Sequence, residues 1–277
     1  MTWLRDRVMR EGPTDVVALM RIGIALLVWT RWGTQLAYYW RPGPEHWALD
    51  TVFFLASTAM LVGFWSRTST FITALTLFVG WLHFYPEHGM KDEFEHHHTR
   101  ILMAANLFLA LTPCGGSWSV DRWLAIRKAR AAGAADPPNI GSLWAVDLIA
   151  LQVSTTYFWS AWDKSQWGFL SGERIENMLV HWYFFDYPYW IPGFHEACVL
   201  GAWVTVAIEY TFPFILFVPR WHKWTFPIGF LLHAVFFVVL PVGTFTCTMF
   251  VLYLAYLKPE VLRRGIAWCT DVEPASR

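Results

Sequence analysis

The sequence predicts an all-α polytopic membrane protein, a helical bundle of about eight transmembrane helices, and three observations predict it. The composition is 56% hydrophobic and only 15% charged, against about 25% charged in ordinary soluble domains. Aromatic residues make up 18% of the chain, with 19 Trp and 22 Phe, which suits a bilayer that takes aromatic rings in its core and at its interfaces. The apolar residues form long runs, and most charges sit in the short connectors between them. Net charge is zero, so nucleic acid is not suggested as a partner.

A hydrocarbon core of about 30 Å takes roughly 20 residues of helix, or slightly fewer when the helix is shielded inside a bundle. On that measure helices are expected at 16–39, 46–65, 68–85, 99–111, 143–162, 195–218, 225–240 and 245–257. The fourth and eighth are short for independent spans. Residues 1–15 read as a cytoplasmic leader, because Arg5, Arg7 and Arg10 precede a long span with no cleavage-site pattern. The transmembrane domain is expected over 16–260, and 261–277 reads as a cytoplasmic tail. Residues 125–138 read as an alanine-rich basic connector.

Eight crossings divide the basic residues unevenly. One side receives the N-terminal arginines, Arg67, the cluster from Arg122 to Arg130, Arg220, Lys223, and Lys258 with Arg263 and Arg264. The other receives only Arg41, Lys91, Lys164 and Arg174, with Arg100 at the outer head of the fourth helix. By the positive-inside bias both termini are then cytoplasmic. The same topology puts His46, His83, His88, His96, His97, His98, His181, His195 and His233 in the outer half, beside Glu87, Asp92, Glu93 and Glu95. Only His222 falls inside.

The sharpest local feature is Asp163-Lys164, an acid and a base ending the apolar run that holds Tyr157-Phe158-Trp159. A lysine at a helix end commonly snorkels to the interface. Its functional reading is a general base, since an apolar pocket disfavours the ammonium. Asp163 opposes that reading if it shares the pocket, although adjacent helical residues point about 100° apart.

The run Glu95-His96-His97-His98 cannot face one direction on a helix, and contiguous imidazoles converge poorly on a metal. Metal ligation, a solvated helix start and a single site histidine all stay open there, with His98 the deepest. Arg21, Asp147, Glu209 and Arg31 are charges within apolar runs, expected to face one another or a wet cavity. Arg21 and Glu209 read as structural intramembrane charges. The cysteines Cys114, Cys198, Cys247 and Cys269 have no metal-ligand spacing and read as small hydrophobes. No phosphate-binding loop, nucleophile elbow or paired CxxC is present.

In this order the pieces resemble the membrane domain of vitamin K-dependent gamma-carboxylase, the horizontally transferred transmembrane (HTTM) domain. The resemblance runs through Leu19-Met20-Arg21, Leu61-Val62-Gly63-Phe64-Trp65-Ser66-Arg67, His98 and Trp118-Ser119-Val120-Asp121. It continues through Tyr157-Phe158, Lys164, Trp167, Gly172, His181-Trp182, His233 and Gly243-Thr244-Phe245, covering nearly the whole chain. In that family a lysine takes a proton from reduced vitamin K, and the oxygenated product is the strong base that removes a glutamate γ-proton. The resemblance therefore implies Lys164 and His98 as catalytic residues. It implies His97, Tyr157, Trp167, His181, Trp182 and His233 around a substrate or quinone pocket.

Two departures qualify the carry-over. The large soluble domain of the animal carboxylase has no counterpart in these residues, and Asp163 stands where that enzyme has a second basic residue. The chain is similar to stand-alone bacterial members of the family.

The expected function is a membrane-embedded, carboxylase-like enzyme that uses a reduced vitamin K or menaquinone-type quinol. It would drive proton abstraction, carboxylation or oxidation of an acceptor on the non-cytoplasmic side of the cell membrane. Expected partners are membrane lipid, the lipid-soluble quinone and an exported peptide or protein, and no resident metal is expected. Two rival readings stay open. One is a non-catalytic chaperone, immunity or transport module, although no internal repeat of the transporter kind is present. The other is a metal-dependent oxidoreductase built on the outer histidines.

Overall fold

The computed structural model describes residues 9–33, 44–87, 97–239 and 243–270. Its elements run β1 (Glu11–Pro13), α1 (Asp15–Val28, extended by a π-helical turn, Trp29–Gly33), α2 (Pro44–Val62), α3 (Ser66–Glu87) and α4 (His97–Ala110). They continue with α5 (Val120–Ala131), β2 (Ile140–Ser142), α6 (Trp144–Lys164), α7 (Trp167–Leu170) and α8 (Glu173–Leu179), which leads into a second π-helical turn, Val180–Phe184. Then come α9 (Phe194–Ile215), α10 (His222–Val239), α11 (Gly243–Leu252, with the 3-10 turn Tyr253–Tyr256) and α12 (Pro259–Thr270).

Each expected helix has a counterpart that begins within three residues of its expected start. Among the described residues, three helical segments are long and apolar enough to cross a membrane, Asp15–Gly33, Phe194–Ile215 and Pro219–Val239. There are four if Gly243–Tyr256 and Pro259–Gly265, bent by 117°, count as one broken span. An all-α membrane protein is the architecture. Elements not foreseen are β1 and β2, α5, which runs into the supposed connector, the short α7 and α8 with the π-helical turn after them, and α12, most of which lies in the supposed tail. α5 buries none of its residues, and its Trp123, Leu124 and Ile126 are interspersed with Arg122, Arg127, Lys128 and Arg130, so it gives no long apolar run to read. At its end Arg130 grips Asp136 through two bonds of 2.9 and 2.7 Å, which hold the Asp136 carboxyl below its ordinary range.

The chain divides into two compact units, Met1–Ala150 with Val251–Arg277, and Leu151–Phe250. In the first, α2, α3 and α4 pack in sequence and α1 lies against α2 and α4. Strand β1 pairs antiparallel with β2, Glu11 opposite Ser142. Asp15, at the start of α1, accepts from Arg263 of α12 at 2.9 Å, and Tyr256 donates to the Ala150 carbonyl at 2.6 Å. The second unit holds the end of α6, then α7 to α10 and most of α11. There α8 docks on α9 at Gly172, whose φ is +81° and whose missing Cβ would sit 2.6 Å from the Val199 nitrogen. His195 Nδ1 and Glu176 Oε2, 2.6 Å apart, close the same contact.

Large apolar side chains cover the outer faces of α9 and α10, among them Leu200, Trp203, Phe214, Leu231, Phe237 and Val238. Exposed apolar area on this scale marks a surface that meets lipid or protein. From the start of α7 to α9 most of the exposed large apolar residues are aromatic, among them Trp167, Trp182, Tyr183, Phe185, Tyr189 and Trp190. Such amphipathic rings suit the level of lipid headgroups.

Candidate functional site

A polar stripe runs down one face of α6 in the second unit: Ser154, Tyr157, Ser160 and Lys164 recur at intervals of three or four residues. That spacing puts them on one side of a helix. The opposite face of the same helix shows Leu151, Trp159 and Trp162 outward. Three helices meet at the stripe. Glu209 and Phe212 come from α9, and His233 and Phe236 from α10.

Lys164 and Glu209 form the centre. Nζ donates to Glu209 Oε1 at 2.8 Å and Oε2 at 2.9 Å, and also to Ser160 Oγ. Ser160 in turn donates to Oε1 at 3.2 Å. Three hydrogen bonds therefore occupy the three N–H donors of the ammonium. The ion pair is unevenly sheltered: the Lys164 side chain is 24% exposed and that of Glu209 only 3%. Phe236 and Phe169 lie with ring centroids 5.6 and 6.0 Å from Nζ, within the range of a cation–π contact. Asp163, the carboxylate expected to set the field at Lys164, is exposed, and Glu209 takes that place.

One turn before Ser160, the Tyr157 hydroxyl and His233 Nε2 share a hydrogen bond of 2.6 Å. Both residues are buried. Phe212 meets the tyrosine edge-on at 5.3 Å, and Thr246 of α11 donates to the His233 carbonyl at 3.2 Å. On α9, Pro213 sits inside the helix four residues after Glu209. Having no N–H, it removes the hydrogen bond that the Glu209 carbonyl would otherwise accept. Ser154 donates to the Pro213 carbonyl at 3.3 Å.

His181 and Trp182 lie on the π-helical turn after α8 and line a shallow groove of about 460 Å³ with Gly168, Glu173 and Arg174. π-helical turns recur at functional sites. Trp167 opens α7 with three quarters of its surface exposed.

His98 and Arg21 belong to the first unit. His98 is buried at the head of α4, and its Nε2 accepts from Arg31 Nε at 3.0 Å, so its neutral ring carries its proton on Nδ1. The backbone of His97 is part of α4, but its side chain lies outside the described residues, as do Glu95 and His96. Among the described residues no three of His, Cys, Asp and Glu converge as a metal-holding group.

Arg21 was expected to face another intramembrane charge or a wet cavity; among the described residues its hydrogen bonds go to the backbone, and the side chain is fully buried. Its guanidinium donates to the main-chain carbonyls of Cys114 (3.0 Å), Met60 (2.5 Å), Leu61 (2.9 Å) and Trp118 (2.6 Å). The loops after α2 and after α4 are thus tied to α1, and burial there pushes the Cys114 thiol above its ordinary range. Asp121 completes the knot by accepting from the Trp65 and Ser66 nitrogens at 2.8 and 2.7 Å, at the start of α3.

The residue that sequence reasoning placed in another role is Glu209, read there as a structural charge. Its partner is 45 positions away in the chain, and such a pairing has no local signature. The one sequence signal was Glu209 standing four residues before Pro213 in an apolar run.

Comparison with curated proteins and with solved structures finds no match in either set. A family model described as the HTTM domain matches residues 42–260, most of the chain, and the protein belongs to that family.

Proposed function

We propose that the protein is a membrane-embedded enzyme that works with a reduced quinone of the menaquinone or vitamin K type, with Lys164 taking a hydroxyl proton from it. The Lys164–Glu209 pair carries this reading. Two charges held among apolar and aromatic side chains cost more than an apolar contact of the same size, so ionisable groups inside spans are functional by default. The HTTM domain is related to the membrane domain of gamma-carboxylase, which supports the same assignment for Lys164.

The residues fit the group. Phe236 and Phe169 bring aromatic rings to 5.6 and 6.0 Å from the amine, and offset stacking of aromatic rings is favourable. Ser160 Oγ, which among the described residues accepts only from Lys164, keeps a lone pair with which to accept from a ring hydroxyl, and the Tyr157–His233 pair lies further along the stripe. A reduced quinone, when bound, supplies acidic hydroxyls and two electrons. The apolar outer faces of α9 and α10 admit a lipid-soluble molecule from the bilayer.

The acceptor would be a small molecule, a lipid or an exported peptide, carboxylated or oxidised on the non-cytoplasmic side. We read eight crossings of the cytoplasmic membrane, both termini inside, from the division of Lys and Arg between the connectors. His98 orients or shuttles in this reading, held by Arg31.

The complete ion pair also suits a non-catalytic chaperone, immunity or transport module, since each charge already has its counter-charge. Lys164→Ala and Lys164→Arg separate the two. Both are expected to lower menadiol consumption in aerated membranes by about a hundredfold or more, the usual weight of a general base. Wild-type turnover in both variants rejects Lys164 as the base.

A further inference from the structure

The uneven shelter of the ion pair assigns the two groups different duties. We propose that Glu209 is the final acceptor of the proton taken up at this site, and that Lys164 is the relay through which it passes. The inference rests on the quinol reading and deepens it.

Lys164 is the member a ligand can reach, and Glu209 is sealed behind it. All three N–H donors of the ammonium point to Glu209 and Ser160, so Nζ has no lone pair with which to take a proton. It gains one by giving up a proton along the 2.8 Å contact to Oε1. In that transfer one Nζ–H bond breaks and one Oε–H bond forms, and the pair keeps zero net charge. A ligand hydroxyl then passes its proton to Nζ; its O–H bond breaks and a new Nζ–H bond forms. No electrons move in either transfer.

The end state is a neutral carboxylic acid at Glu209 and an ammonium at Lys164. The positive charge lies at the reachable end of the pair, facing the charge left on the ligand, and the proton is stored where water does not enter. Lysine alone explains neither the 3% exposure of Glu209 nor the serine that braces both partners. Glu209 acts through Lys164, so it is a positioning and proton-storing residue that need not touch the ligand.

The test is difference infrared spectroscopy on membranes holding the full chain, read at the carboxylic-acid carbonyl stretch. The probes are menadiol and menadiol dimethyl ether, which lacks the hydroxyl protons. Tryptophan quenching by menadiol is recorded on the same samples. Menadiol is expected to raise a carboxylic-acid band that the ether does not raise, that moves with 13C-glutamate, and that is absent from E209Q. Turnover is expected to fall about a hundredfold in E209Q, and E209D, which keeps the carboxylate, to recover at least a tenth of wild type. Quenching without a band in wild type, or a band that survives in E209Q, overturns the assignment of the proton to Glu209 and leaves the quinol reading standing. Absence of quenching overturns the quinol reading, and this inference with it.

Discussion

At the scale of the residue, Arg21 and Lys164 show two ways for a cation to exist inside an apolar layer. Arg21 is fully buried and hands all its polar contacts to main-chain carbonyls, those of Met60 and Leu61 in the last turn of α2 and those of Cys114 and Trp118 in the loop after α4. Helix ends and loops leave carbonyls short of main-chain donors, so one side chain serves acceptors from two segments at once. Lys164 spends its contacts on a carboxylate and a hydroxyl that can themselves carry protons. Only the second arrangement can change its protonation without breaking the fold. Gly63 tests the structural role of the first. Its φ is +73°, and an added Cβ would lie 2.6 Å from Arg21 Nη1 and 2.8 Å from Cζ. Gly63→Ala costs about 1–2 kcal/mol for the left-handed backbone alone, before any displacement of the guanidinium. A thermal melt in detergent is expected to fall by at least about 2 °C, at about 2–4 °C per kcal/mol for a chain of this size. An unchanged melt means that the knot around Arg21 contributes little to stability.

At the scale of the element, the helices were legible where apolar length alone defines them. A hydropathy threshold alone misses one of them, because its polarity is handled locally. α3 carries Ser66, Thr68, Ser69, Thr70, Thr73 and Thr76 and does not qualify as a span by hydropathy. Yet Thr70 donates to the Ser66 carbonyl at 2.6 Å and Thr73 to the Ser69 carbonyl at 2.8 Å. A hydroxyl folded back on its own helix shows less polarity to its surroundings than a hydropathy sum assigns it. The π-helical turns at Trp29–Gly33 and Val180–Phe184 were illegible for a related reason, since one extra residue in a turn leaves composition unchanged. Lys164 could be singled out from its place at the end of an apolar run, and its pairing with Glu209 could not, because helix-to-helix contacts carry no local spacing rule. The docking of α8 on α9 is the element-level feature most open to test. At Gly172 the atom an added Cβ would meet is backbone, the Val199 nitrogen, so no side chain can move aside. Gly172→Ala is expected to separate α8 from α9 and expose the Glu176–His195 pair. Hydrogen exchange should then rise across 173–184, while α1 to α4 stay as protected as in wild type. Equal loss of protection in both units would show that the two do not respond independently.

At the scale of the whole molecule, the open question is which helices cross the bilayer, and charge and structure approach it from different sides. Length and composition admit three or four spans; the division of Lys and Arg is cleanest with eight. The two counts disagree on α2, α3, α4 and α6, helices with polar or short apolar stretches. α6 is decisive, because it carries Lys164 at one end and follows the basic α5 at the other. If α6 crosses, residues 132–138 and residues 186–192 lie on opposite sides. The exposed side chains in those stretches give the handles. Ala134→Cys and Tyr189→Cys, each in a cysteine-free background, report the two sides through a maleimide that cannot pass the membrane. On intact cells Tyr189→Cys is expected to label and Ala134→Cys to label only after permeabilisation, since the positive-inside bias assigns a loop rich in Arg and Lys, Arg122 to Arg130, to the cytoplasm. The converse pattern inverts the topology and moves the Lys164 centre toward the cytoplasmic side. Labelling of both positions from outside removes α6 as a span. The quinol reading then loses its footing, because a charged pair on a helix that lies outside the hydrocarbon carries no desolvation cost that function must explain.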